Sequence, residues 1–375
     1  LAIAALAGTI LIVFVLRPLA ARLGLIDLPD ARKRHDAPTP AIGGIAIFGA
    51  IGLLGLIFQP RSPQLVGFDL AALVLVITGV VDDRHRLRWR LRMGAQILAA
   101  LILIHVAGVR VEDLGRVLGV PLHLNAVGTD LVTVVSVVGI INAINMMDGV
   151  DGLAGAVSLA AIAMLTGVAV YAGNMGLAGD LTIVMGALVG FLAFNMRFPW
   201  SRRASIFLGN AGAELLGLII AAACFRLTQN PLHPIGPKLA PFLVAPALVD
   251  CLTLIIRRVR RGDSPFQADR NHLHHLLLDA GFSASGVVLG VSGLTLIIGS
   301  LAILATKAHV PDPGFTLAFL ALWLGYAVAT HSQGRFVRVL AALGAPFGWA
   351  PHPVAPTPDP ATADSSAAAR RIAAE

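Results

Sequence analysis

The sequence predicts an all-α polytopic membrane protein of about 10–11 transmembrane helices with a small outer β-hairpin. Three observations predict it. Of the 375 residues, 57% are hydrophobic and only 13% charged, against roughly 25% charged residues in an average soluble domain. Apolar stretches of about 15 to 22 residues recur along the chain, and a bilayer needs about 20 per helix. Arginines crowd into alternate connections between those stretches, as the positive-inside rule requires of a chain that weaves through a membrane.

The apolar runs fall at about 1–16, 42–59, 68–81, 93–108, 128–147, 153–172, 177–196, 211–227, 239–257, 284–306 and 314–331. If the N-terminus is outside, one side holds Arg17, Arg22, Arg32-Lys33-Arg34, the Arg84–Arg92 series, Arg197, Arg202, Arg203, Arg257–Arg270 and the arginines of the tail. That is 22 of the 28 Lys+Arg, so that side is read as cytosolic. The net charge of +7 is then explained by arginines beside anionic lipid, without nucleic acid. Cys224 and Cys251 both sit in apolar runs and carry no disulfide information. "VRVEDLGRVLGVPLHLN" (109–125) alternates in period two around Gly115 and Gly119, which predicts the hairpin on the outer face. Residues 1–340 form one membrane domain, and 341–375, rich in Pro and Ala, read as a disordered cytosolic tail.

Polar groups in membrane segments are costly, so they are functional candidates. "GVVDDRHRLRWRLR" ends the third run with Asp82 and Asp83, followed by arginines at every second position, Arg90 and Arg92 among them. A solvated basic loop accounts for most of the arginines. Adjacent carboxylates directly after an apolar run are better read as a pair that handles a hard cation or a phosphate. In "INAINMMDGVDGL" (141–153), Asn142, Asn145, Asp148 and Asp151 recur every three residues and share one helix face. Amide and carboxylate oxygens converging at a helix end suit Mg²⁺, although a polar helix–helix contact with a Gly-rich end is the structural alternative. "RRVRRGDSPFQADRNHLHHLLLDAGF" (257–282) holds Arg270, His272, His274 and His275, groups that fit a diphosphate better than a zinc ion, since no further ligand spacing is present. "DLPDARKRHDAPTPAIGG" (27–44) adds Lys33 and His35, with a plain basic loop as the alternative.

These motifs, in this order, resemble those of the polyprenyl-phosphate N-acetylhexosamine-1-phosphate transferases of the WecA type, with MraY as the peptidoglycan relative. The resemblance runs over about residues 24 to 305 through "GLIDLPDARKRHDAPTPAIGGIAIF", "VVDDR", "NAINMMDGVDGLAG", "FLGNAGAELLG", "LTQNPLHPIGP" and the histidine block. It implies an active site on the cytosolic face that transfers a sugar-1-phosphate from a UDP-sugar to undecaprenyl phosphate. UMP would be released, and Mg²⁺, or Mn²⁺ in its place, would be required. It implies that Asp82 and Asp83 act on the lipid phosphate, that Asn145 ligates metal, and that Asp148 and Asp151 serve nucleotide or metal. Arg90 or Arg92 and the histidines His272, His274 and His275 would hold phosphates, and Lys33, His35, Asn142 and Arg270 join them as candidate substrate-binding residues. A bacterial inner-membrane location follows, and a homodimer is compatible with it.

One motif departs from the pattern. Where the family keeps a metal-binding Asp, "FLGNAGAE" has Asn210, and Ala213 stands where Ser is usual. An amide oxygen can bind Mg²⁺ but brings no charge. Three readings compete: an engineered inactivating substitution, a paralogue with weakened activity, or Glu214, one turn deeper on the same face, as the replacement carboxylate. From other function classes, a transporter is disfavoured because the acids lie at one membrane face without a repeat, and a lipid-binding scaffold rests on Asn210 alone.

Overall fold

The computed structural model describes residues 1–28, 37–117, 120–198, 201, 203–230, 235–265 and 270–344. It begins with α1 (Ala2–Leu16), a 3₁₀ turn, α2 (Ala20–Leu23), and the short strands β1 (Ile26–Asp27) and β2 (Thr39–Pro40). Then come α3 (Gly43–Phe58), α4 (Pro63–His85), α5 (Trp89–His105), β3 (Asp113–Val117) and β4 (Val120–His123). The bundle continues with α6 (Ala126–Met147), α7 (Leu153–Tyr171), α8 (Met175–Asn195) and α9 (Gly209–Thr228). It ends with α10 (Ala240–Leu243), α11 (Ala245–Arg260), α12 (Leu273–Asp279), α13 (Ala284–Lys307), α14 (Asp312–Ala329) and α15 (Gln333–Gly344).

The protein is an all-α, multi-span membrane protein, and each predicted apolar run coincides with helix. Among the described residues, eight helices are long and apolar enough to cross a membrane. A ninth is counted if Pro237–Leu243 and α11, bent by 83° at their junction, form one span. The count stays below 10–11 because α3 and α5 have only 16 and 17 residues, fewer than the 18 of α14, the shortest helix in that count.

Local chemistry sets the helix starts. Ser62 accepts from Leu65 N ahead of Pro63, Asn125 from Gly128 N, Asn174 from Leu177 N and Ser283 from Gly286 N, each satisfying an N–H that the first turn leaves without a partner. β3 and β4 pair antiparallel as the period-two pattern predicts, and Asp312 at the start of α14 accepts from Arg116 N. The pairing of β1 with β2 was not foreseen, because two-residue strands are too short to show a period. α15 carries Phe336, Val337 and Leu340 against Leu276 and Ala280 at α12, so helix continues past residue 340 to Gly344. Residues 345–375 lie outside those described.

The helix that positions the site is α9, packed on α3, α4, α6 and α7. It is buried on nearly every side, 89% of its apolar window against 6% for α14. Its neighbours approach by backbone: a Cβ on Gly44 would lie 2.2 Å from Gly212 N, and one on Gly79 would lie 2.3 Å from Ala211 Cα. Small residues permit this closeness, and dispersion across such contacts holds helices together where lipid offers no hydrophobic drive. Asn210 and Glu214 therefore enter a position fixed on all sides.

Candidate active site

The C-terminal end of α4, the N-terminal turns of α5 and α9 and the last turns of α6 meet at one end of the bundle. α4 stops where Arg86 adopts φ 52° and donates its N–H to Asp82 O. Asp82 is buried; its Oδ1 accepts from Leu87 N at 2.6 Å, and its Oδ2 lies 3.4 Å from Arg92 Nε. Asp82 thus folds the α4–α5 turn and sets Arg92. Asp83 faces α9, where its Oδ1 accepts from Asn210 N at 2.9 Å and Asn210 Nδ2 at 2.8 Å. Asp83 Oδ2 is buried and has no hydrogen-bond partner among the described residues. Gly209 lies beside that oxygen at φ 73°, and a Cβ there would come within 2.5 Å of it, so only glycine fits.

A chain of hydrogen bonds ties the four helices. Asn145 Nδ2 donates to Asn210 Oδ1 at 3.0 Å, and Arg92 donates to Asn145 Oδ1 at 3.2 Å. Arg92 also lies 3.8 Å from Glu214, which accepts from Gln96 Nε2 at 2.8 Å. Asn142 Nδ2 donates to Gln96 Oε1 at 2.7 Å. Glu214 is only 1% exposed, and its paired oxygen is directed at α5 rather than at Asn210.

The loop between α6 and α7 carries the remaining acids. Asp148 is an exposed residue at the end of α6, crowded by neighbouring chain and acids. Desolvation by that crowding, then the charges of Asp83, Asp151 and Asp27, push its pKa up to about 7. Asp151 is turned toward the connection between α8 and α9, accepting from Arg197 Nε at 2.8 Å and Ala204 N at 3.2 Å. Gly152, at φ 83°, donates to Asn195 Oδ1 and sets the start of α7. Gly149 packs on His274, where a Cβ would lie 2.3 Å from Nε2. The histidine helix α12 therefore closes over the acidic loop, with the rings of His272 and His274 stacked and His274 and His275 tilted, centroids 4.2 Å apart.

The stretch 65–228 matches the family model "Glycosyl transferase family 4". The chain is 34% identical over 337 residues to the undecaprenyl-phosphate alpha-N-acetylglucosaminyl 1-phosphate transferase of Haemophilus influenzae, covering 88% of this chain and 93% of that protein. To the proteins of the same name from Pasteurella multocida and Escherichia coli K12 it is 33% and 31% identical, over 88% of this chain and 93% and 90% of theirs. The chain belongs to this family. The matched stretch of the glycosyl transferase family 4 model spans Asp82, Asp83, Asn142, Asn145, Asp148, Asp151, Asn210 and Glu214, and ends before the histidine helix.

Not every candidate joins the cluster. Arg90 is exposed, its guanidinium 5.5 Å from the centre of the Trp89 ring. Arg270 is exposed too, and Lys33 and His35 lie outside the described residues. A cavity of about 280 Å³ lined by Asp69, Asp180 and Arg226 lies far from these acids, since Asp69 and Asp82 are about 20 Å apart along α4. Three participants went unforeseen. Gln96 is the one amide in the α5 run and sits one turn after Arg92, a spacing that would have revealed it. Asp250, buried in α11, takes part in the histidine mount. Asp27 adds charge near Asp148, and "GLIDLPD" was its only trace.

The oxygens present suit a hard divalent cation. Asp83 Oδ2 is an anionic oxygen left without a protein donor, and it lies among carboxylates close enough to raise the pKa of Asp148. No group of three His, Cys, Asp or Glu side chains among the described residues makes a ready cage. Such a set fits Mg²⁺, which binds through one or two carboxylates and completes its octahedron with substrate phosphate and water.

Proposed function

We infer that this protein transfers N-acetylglucosamine-1-phosphate from UDP-N-acetylglucosamine to undecaprenyl phosphate, releasing UMP and leaving a sugar on a lipid diphosphate. The observation that carries this reading is the convergence of Asp83, Asn145, Asn210, Asp148 and Arg92 at one bundle end, in a chain 34% identical to a transferase of that name. The positive-inside asymmetry supports a cytosolic site in a bacterial inner membrane, where a water-soluble nucleotide and a lipid phosphate can meet. A homodimer is compatible with this reading.

Phosphoryl transfer depends mainly on positioning and charge neutralisation. An oxygen of the lipid phosphate attacks the sugar-bearing phosphorus in line. The anhydride bond to the uridine phosphate breaks, and UMP leaves with the bonding electrons. A phosphate monoester has a second pKa of about 6, so the acceptor is ionised near neutral pH and needs no strong base. Asp83 and Asp148, with the amide oxygens of Asn145 and Asn210, would hold Mg²⁺ or Mn²⁺. The bound metal supplies charge neutralisation at the diphosphate. Arg92, fixed by Asp82 and Asn145, brings a forked donor suited to a phosphate, and His274 rests against Gly149 of the acidic loop. Asp151 orders that loop through Arg197, while Glu214 and Asn142, joined through Gln96, brace Arg92.

The test is UMP release from UDP-N-acetylglucosamine by the purified protein in detergent, with and without undecaprenyl phosphate. Direct attack requires release that depends on the lipid. A radiolabelled phosphoryl group retained on the protein without lipid would instead establish a covalent intermediate on Asp82 or Asp83.

A further inference from the structure

His272 stands apart from the other two histidines of its motif. Its Nδ1 lies 2.8 Å from Asp250 Oδ2 and its Nε2 lies 3.4 Å from Arg258. A guanidinium has donors only, so the tautomer consistent with both contacts carries its proton on Nδ1 toward Asp250 and accepts at Nε2. Both ring nitrogens are thus engaged within the protein, and the ring is 7% exposed. Asp250 is itself 1% exposed and fully used: Oδ1 accepts from Leu273 N at 3.1 Å and from the Tyr326 hydroxyl at 2.5 Å. Arg258 is tied on its other side to Pro265 O at 2.8 Å. The network joins α11, the start of α12 and α14, three elements separated by up to 76 residues of sequence.

We propose that Asp250 is a positioning residue for the transfer reaction and that His272 is its lever rather than a substrate ligand. Asp250 fixes the plane of the His272 ring. That ring stacks on His274 at 8° between planes with centroids 5.6 Å apart, and His274 in turn rests on Gly149 of the acidic loop. The imidazole that borders this loop is therefore His274, itself only 2% exposed, and its placement is transmitted from a carboxylate in the membrane helix. Leu273 N on the same carboxylate fixes the first turn of α12, so ring and backbone are set by one group. A buried carboxylate survives in an apolar setting only when its oxygens are filled by donors, and here the donors are the parts whose geometry matters.

The inference rests on the transferase reading, and the experiment separates the two. UMP release and the labelling of individual histidines by diethyl pyrocarbonate, read by mass spectrometry, are measured on the full chain in detergent. The proteins are wild type, Asp250→Asn, His272→Gln, Tyr326→Phe and the double variant Asp250→Asn/His272→Gln. Wild-type turnover tests the transferase reading alone. Asp250→Asn is expected to lower kcat by about 10–100-fold, the scale for partners that orient functional histidines. The double variant should be no slower than the worse single, because residues acting as one unit are not additive. Tyr326→Phe should give a smaller loss of the same kind. Labelling of His274 should rise in both Asp250→Asn and His272→Gln, and this readout needs no turnover. Multiplicative kinetic losses, or His274 labelling unchanged in Asp250→Asn, would overturn the proposal.

Discussion

Asn210 donates one amide hydrogen to Asp83 and accepts from Asn145, so at this position the amide does what a second carboxylate could do only with a cation between the two. Asn210→Asp would place two carboxylates at a 2.8 Å contact, and like charges that close cannot both ionise without help. The variant is therefore expected to unfold at a lower temperature than wild type in EDTA and to gain more from Mg²⁺. About 2.7 kcal/mol is the gain for a ligand present at one hundred times its dissociation constant, and thermal unfolding with and without metal reads the difference. Asp148 gives a second test. Its pKa rises from 3.8 to about 7 in the folded protein, so folding disfavours the ionised form. Stability is then lost as pH rises from about 4 through 7 and stays lost above it. Asp148→Asn should raise the unfolding temperature at pH 8, do little at pH 4, and cut turnover by about 100-fold, the scale of removing one preorganised polar group. Gln96 gives a third: Gln96→Leu leaves Glu214 and Asn142 without their shared partner, costing about 1–3 kcal/mol by thermal unfolding and slowing turnover through Arg92.

Among the elements, α9 and α11 differ in how far sequence could read them. α9 was legible as a span because it is apolar all round, and its polar mouth was legible because Asn210 and Glu214 break that run. The reason its backbone is so close to α3 and α4 was not legible, since Gly44, Gly79 and Gly212 matter only once those helices are known to cross. The run at 239–257 reads as a single helix, but it breaks just before Pro246, in the first turn of α11, and the two pieces meet at 83°. Proline removes a helical N–H and clashes with the preceding turn; that proline was visible, but the direction of the bend was not. Gln96 and Asp250 are hard to read from sequence for a related cause: one polar residue in an apolar run shows that something is bonded, not to what. At this scale, Gly209→Ala should act on the site more than on the bundle. The new methyl must displace Asp83 and adopt φ 73°, so turnover is expected to fall at least tenfold while the protein still elutes as a folded species on size exclusion.

Across the whole molecule, the arginine asymmetry, the spans and the ordered motifs already located the chemistry at one end of the bundle, because lipid thickness and charge leave few alternatives to such a chain. What they did not reveal is how the site is closed. The acidic loop precedes α7, while the helix that rests on it follows α11, more than a hundred residues later. During synthesis α1 to α9 leave the ribosome first, because the chain emerges from its N-terminal end. The carboxylates are thus synthesised well before α12 can settle on Gly149, and α12 in turn is covered by α15. The site can be complete only once the C-terminal helices have docked, so a chain still being threaded into the bilayer carries the acids without the helix that rests on them.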